Sequence, residues 1–363
     1  MTRNKHRRCC HQNVINCCLN TRRLHKQTLI TIKLLLYRKH IMKHFKLNTI
    51  SLALAATLIA PSAMAENTVY GKAHISVASI DDDAGSSIAV TSHSSRFGVK
   101  GTVDTKSTTN VFYKIEWQID LTDESKASND HIKSRSQYIG LKDSWGEIKL
   151  GRDDSPYKKA GKKSIEFFSD TYADYNSIVD KGQDVRADNS MSYTVKAGPG
   201  KVSLMYAAGD DSTAGENTGD MTSVSYNAKF GPVVVAVATQ TINKSTTNDE
   251  TGTKLVFGYD ISKSTKLGFL FETVEDDLTL DDSNTLVSVK HKMGKDAIKF
   301  AYGMKDQGLA NDATMMALAY DHKLNKSTTA YAIYADASDG GLNDAGGLAG
   351  DASVIGAGLV VKF

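Results

Sequence analysis

Between Asn110 and Asp120 the odd positions Val111, Tyr113, Ile115, Trp117 and Ile119 are apolar, and Lys114, Glu116, Gln118 and Asp120 sit among them. A period of two describes a strand with one greasy and one wet face. The pattern recurs at Leu255, Phe257, Tyr259 and Ile261, at Leu267, Phe269 and Phe271, at Ile298, Phe300, Tyr302 and Met304, and at Thr329, Tyr331 and Ile333. Beyond residue 65 no apolar run approaches the roughly 18 residues that a membrane helix requires, which excludes a helical membrane protein. One two-faced strand fits any sheet. Many in series, each of roughly ten residues and separated by turn chemistry, predict a large antiparallel meander.

The connections alternate in length. Gly198-Pro199-Gly200, Gly231-Pro232, Ser262-Lys263-Ser264, Gly294-Lys295-Asp296 and Asn325-Lys326 read as short turns. Between them lie longer polar links, Asp81 to Ser87, Thr122 to Asp130, Gly209 to Asp220, Asn243 to Thr251 and Ala337 to Ala352. Short connections at one end and long ones at the other are how outer-membrane barrels treat the periplasm and the exterior. Counted from Thr68 the alternating segments number sixteen, with the pattern blurring between residues 132 and 152. The expected fold is therefore all-β, a transmembrane antiparallel β-barrel of about 16 strands. An even count brings both ends of the barrel to one side of the membrane. The mean hydropathy of −0.32 fits such a wall, because only the outward half of each strand meets lipid.

Charge and cysteine divide sharply at residue 65. The first 65 residues carry 12 Lys or Arg, no acid and all four cysteines, Cys9, Cys10, Cys17 and Cys18. Residues 66–363 carry 32 Lys or Arg against 41 Asp or Glu, a net charge of −9, which argues against a nucleic-acid partner. From Met42 the chain reads as a secretory signal peptide, with Lys43 and Lys46 ahead of an apolar stretch from Ile50 to Ala60 and a small-x-small site at Ala63-Met64-Ala65. Residues 42–65 are thus expected to be removed, and residues 1–41 are expected to be an over-extended start ahead of the true one at Met42. The cysteine doublets lack the spacing of zinc ligands. The 298 residues that remain, 66–363, allow roughly eighteen per strand plus connection. The last strand, Ser353 to Phe363, puts Ile355, Ala357, Leu359, Val361 and Phe363 on one face.

Three segments resemble wall motifs of the Gram-negative general diffusion porins. They are Tyr70-Gly71-Lys72-Ala73 in the first strand, Ser95-Arg96-Phe97-Gly98-Val99-Lys100-Gly101 in the second and Ser134 to Lys142 in the fourth, with Gly151-Arg152 closing the fifth. In that family the basic residues of these motifs line a constriction, and the resemblance carries that role to Lys72, Arg96 and Arg135, with Arg186 a further candidate. Alternation independently puts Lys72 with His74, and Arg96 with Lys100, on the wet face. The long link from 153 to 184 is the expected constriction loop, since a stretch of that length in a compact domain is often functional. Its middle, Ile165 to Thr171, resembles the acidic segment that porins fold into the lumen, and Glu166 and Asp170 match its carboxylates. The match departs from the pattern at Phe168 and Ser169, and at Lys162, where the family carries an acid. Lys158, Lys159 and Lys163 accompany it. Because exposed charges more than about 8 Å from the passage are screened, local sign predicts a weak anion preference despite the acidic net charge.

The resemblance further implies a homotrimer in outer-membrane lipid, passive passage of ions and small hydrophilic solutes, and a terminal Phe363 that serves as an assembly signal for the outer-membrane machinery. No cofactor, metal or catalytic residue is expected. The five later histidines, His74, His93, His131, His291 and His322, are scattered and expected to be solvated, and Asp81-Asp82-Asp83 reads as a solvated turn. No Gly-x-Ser-x-Gly elbow or phosphate-binding glycine loop is present. Two rival readings are a secreted β-sandwich binding module, which would not need sixteen strands, and an outer-membrane barrel enzyme, which would need a Ser-His pair on the lipid face.

Overall fold

The computed structural model describes residues 65–103, 105–122, 132–179, 182–209, 219–245, 248–276, 282–306, 312–339, 342 and 350–363. The expected over-extended start, the expected signal peptide as far as residue 64, and His131 lie outside the described residues. The barrel strands are β1 (Ala65–Asp82), β2 in two segments (Gly85–Ser92 and Arg96–Val103), β3 (Asn110–Ile119), β4 (Ile132–Asp143), β5 (Gly146–Asp154), β6 (Arg186–Ala197), β7 (Gly200–Ala207) and β8 (Met221–Phe230). They continue with β9 (Val233–Ser245), β10 (Asn248–Asp260), β11 (Thr265–Asp276), β12 (Asp282–Met293), β13 (Asp296–Asp306), β14 (Ala313–Lys323), β15 (Thr328–Ser338) and β16 (Ala352–Lys362). Each pairs antiparallel with its neighbour in sequence, and β1 pairs with β16 from Lys72↔Lys362 to Asp82↔Ala352, which closes a sixteen-strand barrel. Closure leaves no sheet edge to bury or protect.

Alternation sets what each face meets. Leu255, Phe257, Tyr259, Ile298, Phe300, Tyr302, Ile355 and Leu359 all point outward and are exposed on the isolated chain, forming the apolar belt that lipid covers. β15 departs from expectation. Tyr331 and Ile333 are buried and face inward, and Tyr334 takes the outer face. The apolar and small residues of this strand occupy both faces, so periodicity alone fixed the strand and left its parity open.

Two of the expected long links are tight. β1 and β2 run through Asp82 and from Gly85, and β9 pairs with β10 as far as Ser245↔Asn248, because polar Ser, Thr and Asp pair in a ladder as readily outside the membrane as in a loop. The blurred region resolves into β4 and β5, joined by a turn at Ser144 and Trp145. β2 breaks at His93–Ser95, where Ser94 adopts φ 49° and the Ser95 hydroxyl accepts from the His74 amide at 3.0 Å.

The loop between β5 and β6 spans residues 155–185, two residues later at its start than expected, because β5 extends through Asp154. It bonds to inward side chains of β1, β2, β11, β12 and β14 through Asp170, Tyr172, Tyr157, Ile165 and Ser177. A closed barrel has one inside, and a segment touching the inner faces of five strands lies there. The lumen wall beneath the loop is apolar where a wet lining was expected. Ala236, Val256, Leu270, Leu286, Ala301, Met315, Ala317, Ile333 and Val354 form a single core with the loop's Tyr157, Ile165, Phe168, Tyr172, Tyr175 and Ile178. Burying such side chains contributes about 1.5–3 kcal/mol each, enough to hold an otherwise irregular segment against the wall.

Candidate lumen constriction

Local chemistry shapes the loop. The Ser155 hydroxyl caps a one-turn helix, Pro156–Lys159, by accepting from the Lys158 amide at 3.1 Å, and proline sits at the first turn, where its missing N–H costs nothing. Gly161 follows at φ 61° and lies against Val256, so both backbone and contact require glycine there. A second turn, Lys162–Ile165, leads to the tip. There the Asp174 carboxylate accepts from the Asn176 amide at 3.1 Å and from the Asp170 amide at 2.6 Å. These bonds hold Asp170 in the left-handed region, at φ 55°, with its side chain turned to the wall.

Asp170 is the meeting point. Its carboxylate accepts from Lys72 and, at 2.9 Å, from Arg96. Burial pushes the Asp170 carboxyl up, but Arg96, Lys72 and Arg135 together hold it well below the usual carboxylate range. Two cations of the wall and one acid of the loop, read separately in the sequence, thus form one cluster across the lumen.

The other expected residues fall into smaller groups. Arg135 donates to Glu116 at 2.9 Å and to Gln118 at 2.7 Å, and Glu116 also accepts from Tyr70 at 2.8 Å and pairs with Lys114 at 3.2 Å. Arg186 pairs with Asp154 at 2.9 Å, its neighbour across the strands. Lys162 pairs with Glu166 of its own loop at 3.2 Å. Burial and the nearby Asp174 push the Glu166 carboxyl up to about 7, with Lys162 drawing it back down. Lys163 is exposed and makes no ion pair among the described residues. Lys158 and Lys159 are tied to Asp184 at 2.9 Å and Asp153 at 2.7 Å, at the loop's base.

The start of the loop is latched as well, by residues that the sequence reading passed over. Lys254, 1 % exposed, lies 3.4 Å from Glu272 and over the Tyr157 ring at 4.3 Å, and the Tyr157 hydroxyl donates to Glu272 at 2.8 Å. Asn284 donates to the other Glu272 oxygen at 2.7 Å. A buried cation survives only with such partners. Inward parity on β10 and β11 was the available signal, as it was for Glu116 on β3.

His74 and His93 correct a further expectation, for neither is solvated. His74 is 1 % exposed and bonds Tyr331 at 2.8 Å, and His93 bonds Ser76 at 2.7 Å beneath the loop's Tyr172. His322 pairs with Asp296 at 2.6 Å. Among the described residues no group of three or more His, Cys, Asp or Glu could hold a metal ion.

The chain matches the family model of the Gram-negative porins over residues 51–342. No curated protein matches by sequence. Solved structures share the fold. The anion-selective porin from Comamonas acidovorans superposes with a TM-score of 0.70 at 22% identity, covering 83% of this chain and 100% of its own. OmpF from Salmonella typhi gives 0.67 at 14% identity, covering 82% and 97%, and the trimer form of OmpT from Vibrio cholerae gives 0.61 at 17%, covering 82% and 99%. A closed sixteen-strand barrel, a lipid-facing apolar belt, a loop pinned inside the lumen and a family match over most of the sequence make this chain a member of the Gram-negative porin family, a general diffusion channel of the outer membrane.

Proposed function

We propose that passage is controlled where the loop meets the wall, by Lys72, Arg96, Arg135 and Arg186 on the barrel and Lys162, Lys163, Glu166 and Asp170 on the loop. The observation that carries this reading is the bond of Asp170 to both Lys72 and Arg96, which fixes the loop tip in the cross-section of the pore. Passage is passive: ions and small hydrophilic solutes diffuse through, and no side chain is asked to make or break a covalent bond. Most charges of the loop itself are paired and contribute little net field, so the exposed Lys163, together with the excess of basic side chains on the wall beside the loop tip, gives the passage a weak anion preference. Single-channel conductance and reversal potentials of the purified protein in a KCl gradient test this. A clear cation preference in the wild type would overturn it.

The working unit is read as a homotrimer, with outward faces of the first strands and the last in contact. The exposed Val69, Val77, Ile88 and Val90 near one side of the seam, and Ile355 and Leu359 near the other, support that reading. Cross-linking in mild detergent should give a three-chain band, and monomer alone would count against it.

A further inference from the structure

Below the loop, at the mouth formed by the short turns, a cavity of about 370 Å³ is lined by eight Lys or Arg and three Asp. Its roof is Ser169–Thr171 of the loop, with the Phe168 ring 5.1 Å from the Lys299 ammonium. Its floor includes the Gly294-Lys295 turn. We propose that this vestibule binds small, multiply charged oxyanions, phosphate-bearing or polycarboxylate, chiefly through Lys72, Arg96, Lys290, Lys299, Lys323 and Lys362. The inference rests on the channel reading for its biological setting, since the ligand would be a solute in transit.

The register carries the argument. Arg96 lies opposite Lys72, and Lys72 opposite Lys362, so three cations stand in one row across β2, β1 and β16. A second row runs from Lys266 through Lys290 to Lys299 on β11, β12 and β13. Cross-strand partners share a face of the sheet, and like charges directly opposite one another destabilise it. Asp170 serves the first row. In the second, Asp321 lies 2.8 Å from Lys299 and 3.9 Å from Lys290, and Asp260 lies 3.0 Å from Lys266. Lys266 and Asp260 lie outside the cavity lining, so within it two carboxylates, Asp170 and Asp321, answer five cations of the rows.

The remaining lining adds to the excess. Lys292, Lys295 and Lys323 are exposed and make no ion pair among the described residues, and Asp296 is engaged by His322. A strand fold has no need of such rows, which neighbouring Ser or Thr could replace without loss of pairing. An anion with several oxygens neutralises both rows at once. The volume lies at the small end of the range for ligand sites, about 300–1,000 Å³. A monovalent anion answers only one cation, so the arrangement discriminates by charge number.

The folded protein in detergent at low salt should be titrated calorimetrically with inorganic pyrophosphate, with citrate and with acetate. Pyrophosphate and citrate should saturate, with acetate weaker by at least about tenfold. Preference for pyrophosphate over citrate assigns a phosphate-bearing solute, and the reverse a polycarboxylate. The Lys290→Gln/Lys299→Gln variant should lose at least about tenfold in affinity for the preferred anion. Should that variant fail to fold, by the heat-dependent shift in gel migration, Lys323→Gln/Lys362→Gln, at exposed positions, should show the same direction of loss. Equal affinity for all three anions, or affinity unchanged in a folded variant, would overturn the proposal. Binding is read without a bilayer, so a protein that binds pyrophosphate and passes no current would sink the channel reading and leave this site standing.

Discussion

The Lys162 ammonium lies 3.2 Å from the Glu166 carboxylate, one helical turn further along the same loop. The sequence placed a lysine where the family carries an acid and counted it toward the field of the pore. Folding spends that charge within the loop, and its neighbour Lys163 is left exposed.

Charge reversal should therefore separate the two lysines. Lys163→Glu is expected to move the reversal potential in a KCl gradient toward cations with little change in stability, because the side chain is exposed and makes no ion pair among the described residues. Lys162→Glu should move it in the same direction and also weaken the loop, since Glu166 and the buried Asp174 lose their counter-ion. A variant at Lys163 with unchanged selectivity would place its side chain away from the current path.

Protonation of Glu166 should tune the same property. Burial and Asp174 raise its carboxyl from 4.5 to about 7, so between those values the docked loop holds a proton that an unfolded chain has released. Stability then falls as pH rises through this window, because the folded state binds more protons there. Asp170 acts in the opposite sense, and its contribution is lost only as pH falls below the usual carboxylate range. Anion preference should decline from about pH 5 to about pH 8 as Glu166 ionises and neutralises Lys162. Glu166→Gln should flatten that change in reversal-potential measurements.

Asp170→Asn tests the pin across the lumen. Lys72 and Arg96 face each other in register and share this one carboxylate. Breaking a largely buried pair by removing one partner costs about 3 kcal/mol, and the variant should release the loop tip by that order. Hydrogen exchange of amides 165–179 should quicken, with larger fluctuations in the open-channel current. Unchanged protection would mean that the apolar core alone holds the loop.

Gly268→Ala addresses that core from the wall. A β-carbon at position 268 would stand 2.1 Å from the Ser164 carbonyl oxygen, which is backbone and cannot rotate aside. Overpacking of this kind costs about 1–3 kcal/mol, and the loop should shift off β11. Faster exchange at residues 161–165 and an altered single-channel conductance are expected, with the barrel's heat-dependent gel shift retained.

Removal of Phe363 tests its reading as an assembly signal. Its backbone exchanges hydrogen bonds with Gly71 at 2.8 and 3.2 Å, and its ring lies over that glycine, at the seam where β1 and β16 close the barrel. The truncated chain should accumulate unfolded in the periplasm while synthesis continues. Normal insertion would assign the residue no part in assembly.

How much of this was legible beforehand follows from which forces are local. Period two made the strands readable because lipid outside and water inside impose opposite demands on successive residues of each strand, as at Ile115, Glu116 and Trp117. Counting those alternating segments then gave sixteen strands, the turn chemistry between them gave the meander, and the wall motifs with the acidic loop segment pointed to the family and to Lys72, Arg96 and Asp170. Tertiary structure alone decided the pairing. Whether Tyr331 faces lipid or the lumen depends on the parity of its strand, while whether Lys162 meets the wall or Glu166 and whether His93 is wet or buried beneath Tyr172 depend on where a 31-residue loop settles. Its resting place is set by contacts between residues far apart in the chain, Tyr157 with Glu272 and Ser177 with Met315 among them. The same holds for the two rows of lysine and arginine, where each strand carries an unremarkable inward charge and only the register of the closed barrel brings them face to face.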